Sequence, residues 1–414
     1  MNASAEPQVA ALAAATLLRS TATIRERANA LLARARAGQS EWFAMGDDAE
    51  LGRTAQIVAD VTRERYGDGP IPYHSRWRHF EAGGVERRAE LDGALGEVSA
   101  TERARAHIDL TVVSVLLDAG AGPDWRYTEA ISGQQFGRSE GLGVASFRAF
   151  ASGLFSSDVN RKFQADAAGL CSVTAAQLGE AFQVSGSNPL VGLEGRVTLL
   201  RRLGDALSQQ PDVFGAAARP SGLFDVLTKA SSSAAAHDIL SVLLATLSGV
   251  WPAPNHIGSV ALGDCWPHTA IRGDGLSDGW MPFHKLSQWL TYSLLEPFEW
   301  AGVEVTGLSA LTGLPEYRNG GLLLDSGVIV PNDLTLLNRT WQVGDEFIVE
   351  WRALTVALLD ELAPRVRKIL GKTEAEMPLA CVLEGGTWAA GRVLAHQLRG
   401  GAPPLKIDSD GTVF

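Results

Sequence analysis

Pro282-Phe283-His284-Lys285-Leu286-Ser287-Gln288-Trp289-Leu290-Thr291-Tyr292-Ser293-Leu294-Leu295-Glu296 is the stretch on which the reading of this chain turns. Proline at the first turn and Pro297 just beyond the end predict a helix over 282–296. Leu286, Leu290 and Leu294 recur every fourth residue and make an apolar stripe. Lys285, Trp289, Tyr292 and Glu296 follow at spacings of four, three and four and share a neighbouring face. That face is too polar and too aromatic for ordinary core. Further on, Leu314-Pro315-Glu316-Tyr317-Arg318-Asn319-Gly320-Gly321 places a carboxylate in a loop, after a proline and ahead of two glycines. Backbone there approaches a ligand closely. A lysine on a helix and a carboxylate on the following loop suit a charged sugar held for attack at its anomeric carbon.

Outward from this segment the pattern is helical. Residues 8 to about 37 read as two helices, the second opened by Thr23 with Glu26 as a capping box. Ser99 with Glu102 repeats that logic for a helix to about Asp118, with Ile108, Val112, Val115 and Leu116 on one side. Further helical patterns cover 145–153, a stretch after Asn188-Pro189 ending near Leu207, a short piece after Arg219-Pro220, and 237–249, stopped by Trp251-Pro252-Ala253-Pro254. A long helix runs from Asp345 to about Ala363, with Arg365, Arg367 and Lys368 after it. Residues 258–278 are the least regular, and their folding over the cleft as a lid is an expectation. No repeat and no strand–helix alternation is visible, so a mainly α fold with minor β segments is expected. It is read as one large domain over 1–414, with two lobes at 1–185 and 186–414 as the finer division.

Composition sets bounds. Of the 414 residues 46% are hydrophobic and 20% charged, enough for a large core, and the net charge is −11. Phosphate backbones are held mainly by Lys and Arg, so nucleic acid and anionic membranes are not expected partners. Cys171, Cys265 and Cys381 lie too far apart for a disulfide framework or a paired zinc motif. The alanine-rich N-terminus carries Glu6 and lacks the pattern of a signal peptide. No apolar run reaches the roughly 20 residues of a membrane span. A cytoplasmic protein follows as the expectation, with a small anionic ligand still open through local basic clusters and the oligomeric state left open.

Some motifs carry less than they promise. Ile407-Asp408-Ser409-Asp410-Gly411-Thr412 mimics a haloacid-dehalogenase nucleophile loop, but too little chain follows it for that fold, and it reads as a turn. Asp264, Cys265 and His268, with His284 nearby, match no strong metal pattern and read as a polar loop. No metal is expected on that spacing, and with no Gly-x-Gly-x-x-Gly or Gly-Lys-Ser/Thr loop present no nucleotide cofactor is expected either. In Tyr73-His74-Ser75-Arg76-Trp77-Arg78-His79-Phe80, Arg76 and Arg78 could clamp a phosphate between their guanidinium forks.

That string resembles the uracil-catabolism protein 4 family of bacteria and fungi. So do Asn188-Pro189-Leu190-Val191-Gly192-Leu193-Glu194-Gly195-Arg196 and the segments around Lys285 and Glu316. The resemblance covers almost the whole chain. It implies a pathway in which uracil becomes its ribonucleotide, the ring opens and urea is released. A shorter resemblance, over about 280–327, is to queuosine-salvage nucleoside hydrolases. Those write an aromatic-Lys-x-x-Gln helix and then an Asp-Tyr-Arg loop, where this chain has His284-Lys285-Leu286-Ser287-Gln288 and Glu316-Tyr317-Arg318. It implies a helix-hairpin-helix glycosylase-like core and N-glycosidic cleavage, with glutamate in place of aspartate. Together these imply hydrolysis of a small nucleotide-like substrate, ribosylurea or its 5′-phosphate. Glu316 would stabilise or capture the oxocarbenium-like state, and Asp264 would serve as the second carboxylate. Lys285, Arg318 and Arg76 would hold phosphate, and Trp289 and Tyr292 would wall the pocket, with Tyr317, His284 and Arg78 completing it. A uracil phosphoribosyltransferase activity and a scaffold subunit are the alternatives.

Overall fold

In the computed structural model, which describes residues 5–251 and 254–409, the fold is built round the helix Glu346–Leu370. Trp351, Leu354, Leu358, Leu362 and Val366 are buried along it. The helices Thr21–Arg36, Asp48–Tyr66 and Tyr317–Asp325 pack against it. The Lys285–Trp300 helix lies against Ala100–Leu116 and Ala236–Leu247. One apolar cluster runs from Ile24 through Leu405, and a smaller one sits under the first helix with Ile257, Leu262 and Cys265. The fold is mainly α. Among the described residues strands occur only as short two-stranded pairs, such as Phe43–Met45 antiparallel to Ile329–Pro331. No described helix is long and apolar enough to cross a membrane.

Several boundaries differ from the sequence reading, each for a physical reason. The helix begins at Lys285, not Pro282, because Trp280–Pro282 is a strand paired with Cys265–Pro267. His284 turns the chain between the two in a left-handed conformation, φ 51°. Pro297 lies inside the helix and does not end it. Proline leaves the Ser293 carbonyl without its helical donor, and the Trp77 indole N–H donates to it at 3.2 Å. Ser20, not Thr23, caps the second helix, its Oγ accepting from Ala22 N at 3.2 Å. Ser99 caps as expected, but Glu102 turns its carboxylate to Arg105 and Arg219. Arg365, Arg367 and Lys368 belong to the Glu346–Leu370 helix and do not follow it. In the irregular stretch 258–278, Gly275–Ser277 forms a short 3₁₀ turn. Ile407 and Asp408 form a strand parallel to Thr340–Gln342, while Asp410, Gly411 and Thr412 lie outside the described residues, as do Pro252 and Ala253.

Two glycines set helix spacing near the cleft. A Cβ on Gly391 would stand 2.0 Å from the Arg318 carbonyl oxygen, so only glycine lets Trp388–Arg399 lie against Tyr317–Asp325. A Cβ on Gly386 would stand 2.4 Å from the Val58 carbonyl oxygen. Gly391→Ala is expected to lower stability by about 1–3 kcal/mol through overpacking, visible as a lowered denaturant midpoint.

Candidate functional site

A cavity of about 690 Å³ opens where the Lys285–Trp300 helix, the Tyr317–Asp325 helix, the 73–82 segment and the start of Trp388–Arg399 meet. Glu316 lies on its wall as the N-cap of Tyr317–Asp325. One carboxylate oxygen accepts from Asn319 N at 2.6 Å and the other from Arg318 N at 2.7 Å. Each oxygen keeps a second lone pair. The cap fixes the carboxylate on rigid structure and places it at the positive end of a helix. Burial nevertheless raises its pKa from the ordinary glutamate value, against the two amides and the charges of Lys285 and His74.

Lys285 and Trp289 line the same cavity. The Lys285 ammonium makes no hydrogen bond with any described residue; burial lowers its pKa and Glu316 offsets part of that. The Trp289 indole is packed by the His79 ring and the Arg76 guanidinium, with Nε1 buried and without a hydrogen-bond partner among the described residues. Tyr317 and Arg78 also line the cavity. Arg78 is held by Glu296 at 2.7 Å, the carboxylate expected on the ligand face of the helix.

Other expected site residues stand elsewhere. Asp264 is not on the cavity wall. Arg352 grips both its oxygens, at 2.7 and 2.8 Å, Trp266 Nε1 donates to it at 2.8 Å, and it accepts from Lys285 N at 3.0 Å. Burial works to raise its pKa, but the Arg352 guanidinium and then these donors bring it down to about 2. A carboxylate so held does not carry a proton near neutral pH; it caps the Lys285 helix in place of His284. Tyr292 is buried, its hydroxyl donating to the Thr312 carbonyl at 2.9 Å. His284 packs with Cys265 and its Nε2 donates to the Leu18 carbonyl at 3.0 Å; burial lowers its pKa to about 4. Arg318 turns its guanidinium to the Gly401 carbonyl at 3.3 Å. Arg76 is fully buried behind the wall, paired with Asp118 at 2.9 Å and bonded to Ser114. Cys265 and His268, considered with Asp264 as ligands, go to His284 and Glu350.

The sequence reading passed over His74, His79, Asp118, Arg138, Glu384 and Arg392, all on the cavity wall. His74 and His79 sit in the aromatic-arginine string, where the arginines took precedence. His79, with Nδ1 facing Arg76, is held down to about 4 by burial and by that guanidinium. Glu384, followed by two glycines, had a usable signal: one carboxylate in an apolar run next to residues that permit close packing. The guanidinium of Arg138, a residue at φ 52°, makes no hydrogen bond or ion pair with the described residues, and Arg392 meets Glu140 only at 3.6 Å.

Asp264 and Glu384 both have pKa values near 2 in the folded chain, below the unfolded values of about 3.9 and 4.3. Depressed carboxylates contribute stability that is present above the unfolded values and lost as pH falls towards 2. The unfolding temperature is expected to fall steeply from about pH 4 to pH 2, and Asp264→Asn to flatten that limb. An unchanged acid limb in Asp264→Asn counts against the pair with Arg352.

Fold and site together define a mainly α protein with a cleft of mixed polar and apolar lining, in which a helix-capping carboxylate shares a wall with a lysine whose ammonium is unbonded among the described residues. The chain belongs to the family described as "Protein of unknown function (DUF1688)", which matches residues 17–414. It is 41% identical over 401 residues to Protein urg3 of Schizosaccharomyces pombe, a match covering 94% of this chain and 96% of that one. It is 39% identical over 414 residues to Uracil catabolism protein 4 of Lachancea kluyveri, covering 91% and 93%.

Proposed function

We propose that the chain is an N-glycoside hydrolase of uracil catabolism that cleaves ribosylurea or its 5′-phosphate to urea and the sugar. The observation that carries this reading is Glu316, a carboxylate fixed by two backbone amides on the wall of a cavity large enough for a nucleoside-sized ligand. Cleaving the C1–N bond builds positive charge on the ribose ring, and a pre-oriented carboxylate stabilises it without reorganising. Lys285 is free to donate to a sugar hydroxyl or the urea carbonyl, and Trp289 gives the sugar an apolar wall. The name of the Lachancea kluyveri relative supports the pathway. The likeness to queuosine-salvage nucleoside hydrolases, carried by Lys285, Gln288, Glu316, Tyr317 and Arg318, supports the bond type and a glycosylase-like helical core.

A ring-nitrogen analogue of the ribosyl cation, protonated iminoribitol, tests the reading by calorimetry. It is expected to bind at least about 100-fold more tightly than ribose, and to lose that advantage in Glu316→Gln. Equal affinity of wild type and variant removes Glu316 from charge stabilisation.

For a 5′-phosphate the cavity offers Arg138 and Arg392, since Arg76 and Arg318 are already engaged. Arg138 and Arg392 lie close enough to Arg318 for their charges to lower its pKa, after burial and against Glu316. Changing both to alanine is expected to raise KM for ribosylurea 5′-phosphate by about 100-fold and to leave that for ribosylurea unchanged. Equal effects on both substrates place the phosphate elsewhere.

A further inference from the structure

His74 stands on the cavity wall with one ring nitrogen committed and the other open. Its backbone N–H donates to the Ala380 carbonyl at 3.0 Å, and its Nδ1 lies 2.8 Å from Glu384 Oε2. The second oxygen of Glu384 accepts from Arg65 Nη2 at 2.8 Å and from the Tyr66 hydroxyl at 2.9 Å. Burial works to raise the Glu384 pKa, yet His74 and Arg65 bring it down to about 2. Glu384 is therefore an acceptor only, and Nδ1 carries the hydrogen between them. Nε2 makes no hydrogen bond with any described residue, while the side chain keeps 15% of its surface exposed. This is the arrangement in which a carboxylate fixes tautomer and ring orientation and leaves Nε2 to exchange a proton.

The backbone around Glu384 is unusual in the same place. Leu383–Thr387 is a π-turn between Leu379–Val382 and Trp388–Arg399, a distortion often found where a side chain must be re-aimed at a site. The close seat of Gly386 on the Val58 carbonyl holds that turn against Asp48–Tyr66, the helix that carries Arg65 and Tyr66. His74 and Glu316 line one cavity, and the charge of His74 is felt at Glu316.

We propose that His74, oriented by Glu384, transfers the protons of the glycosidic cleavage at Glu316; this rests on the hydrolase reading above. As the C1–N bond breaks, its electron pair goes to the urea nitrogen, and His74 as imidazolium gives that nitrogen the proton from Nε2. Water then adds to the ribosyl cation at C1 and its proton returns to Nε2. The sum is ribosylurea plus water giving ribose plus urea, with Glu384 ionised throughout. His74 takes the place that the sequence reading gave to Asp264. Glu384 is a positioning residue, acting only through the imidazole.

Leaving-group dependence tests this. Urea nitrogen departs only when protonated, whereas 4-nitrophenolate leaves a riboside unaided. His74→Ala and Glu384→Gln are expected to lower kcat for urea release by about 10²–10⁴-fold and to change kcat for 4-nitrophenyl riboside by less than about threefold. Glu316→Gln is expected to lose both activities. Equal losses on both substrates in the His74 and Glu384 variants reduce the pair to a structural role and overturn the proposal, leaving the hydrolase reading intact. Wild-type protein that cleaves neither substrate overturns both. If the wild type cleaves ribosylurea alone, added imidazole decides. Recovery of His74→Ala by at least about tenfold supports proton transfer, and no recovery overturns it.

Discussion

Replacing Glu316 by glutamine is expected to lower urea release by about 10³-fold or more, the scale of losing a pre-oriented charge at a developing ion. The amide changes charge far more than shape. Glutamine keeps the length and one acceptor oxygen, so one of the two backbone amides at the helix start retains its partner. The other faces an NH₂ group, and part of the cap is lost, at a cost of about 0.5–2 kcal/mol. Thermal unfolding of the variant reports that small loss, while kcat reports the large one. Substrate affinity stays close to wild type, since the carboxylate acts on charge that exists only as the bond breaks. Loss of kcat in proportion to loss of folded protein would instead make Glu316 a cap and nothing more.

Asp264→Ala is expected to be the most destabilising single change near the cleft, by about 3–5 kcal/mol, because it leaves the fully buried Arg352 guanidinium without its carboxylate. It also removes the acceptor for Lys285 N and the Trp266 indole. The denaturant midpoint should fall accordingly. Replacing Asp264 and Arg352 together by leucine should recover much of the loss, since no buried charge then stands alone. That pattern separates a structural ion pair from the catalytic carboxylate expected from sequence. A catalytic Asp264 would lose activity in Asp264→Asn with the midpoint unmoved.

How much was legible in the sequence follows from the distance over which each interaction acts. The helix face with Lys285 and Trp289 is a local periodicity, and it leads directly to the cavity wall. Its lower half did not, because Tyr292 and Glu296 meet partners from other segments, the Thr312 carbonyl and the pair Ser75 and Arg78. Glu316 was legible as a carboxylate at a loop-to-helix boundary, and its cap is formed within three residues. The ion pair of Asp264 was not legible, because the residue that decides its charge, Arg352, is 88 positions away. His74 and Glu384 are 310 positions apart, and nothing local marks either as the other's partner. Pro297 shows the same limit for the fold. A proline stops a helix unless tertiary structure supplies the missing donor, and the Trp77 indole does so from 216 positions away.

Incubating the purified wild-type protein with ribosylurea and, separately, with its 5′-phosphate, and measuring urea, ammonia and free sugar together, decides whether the chain cleaves the glycosidic bond. Cleavage at the glycosidic bond predicts urea and sugar, or sugar phosphate, in equal amounts and no ammonia from at least one substrate. Ammonia in place of urea, or neither product from either substrate, would contradict it.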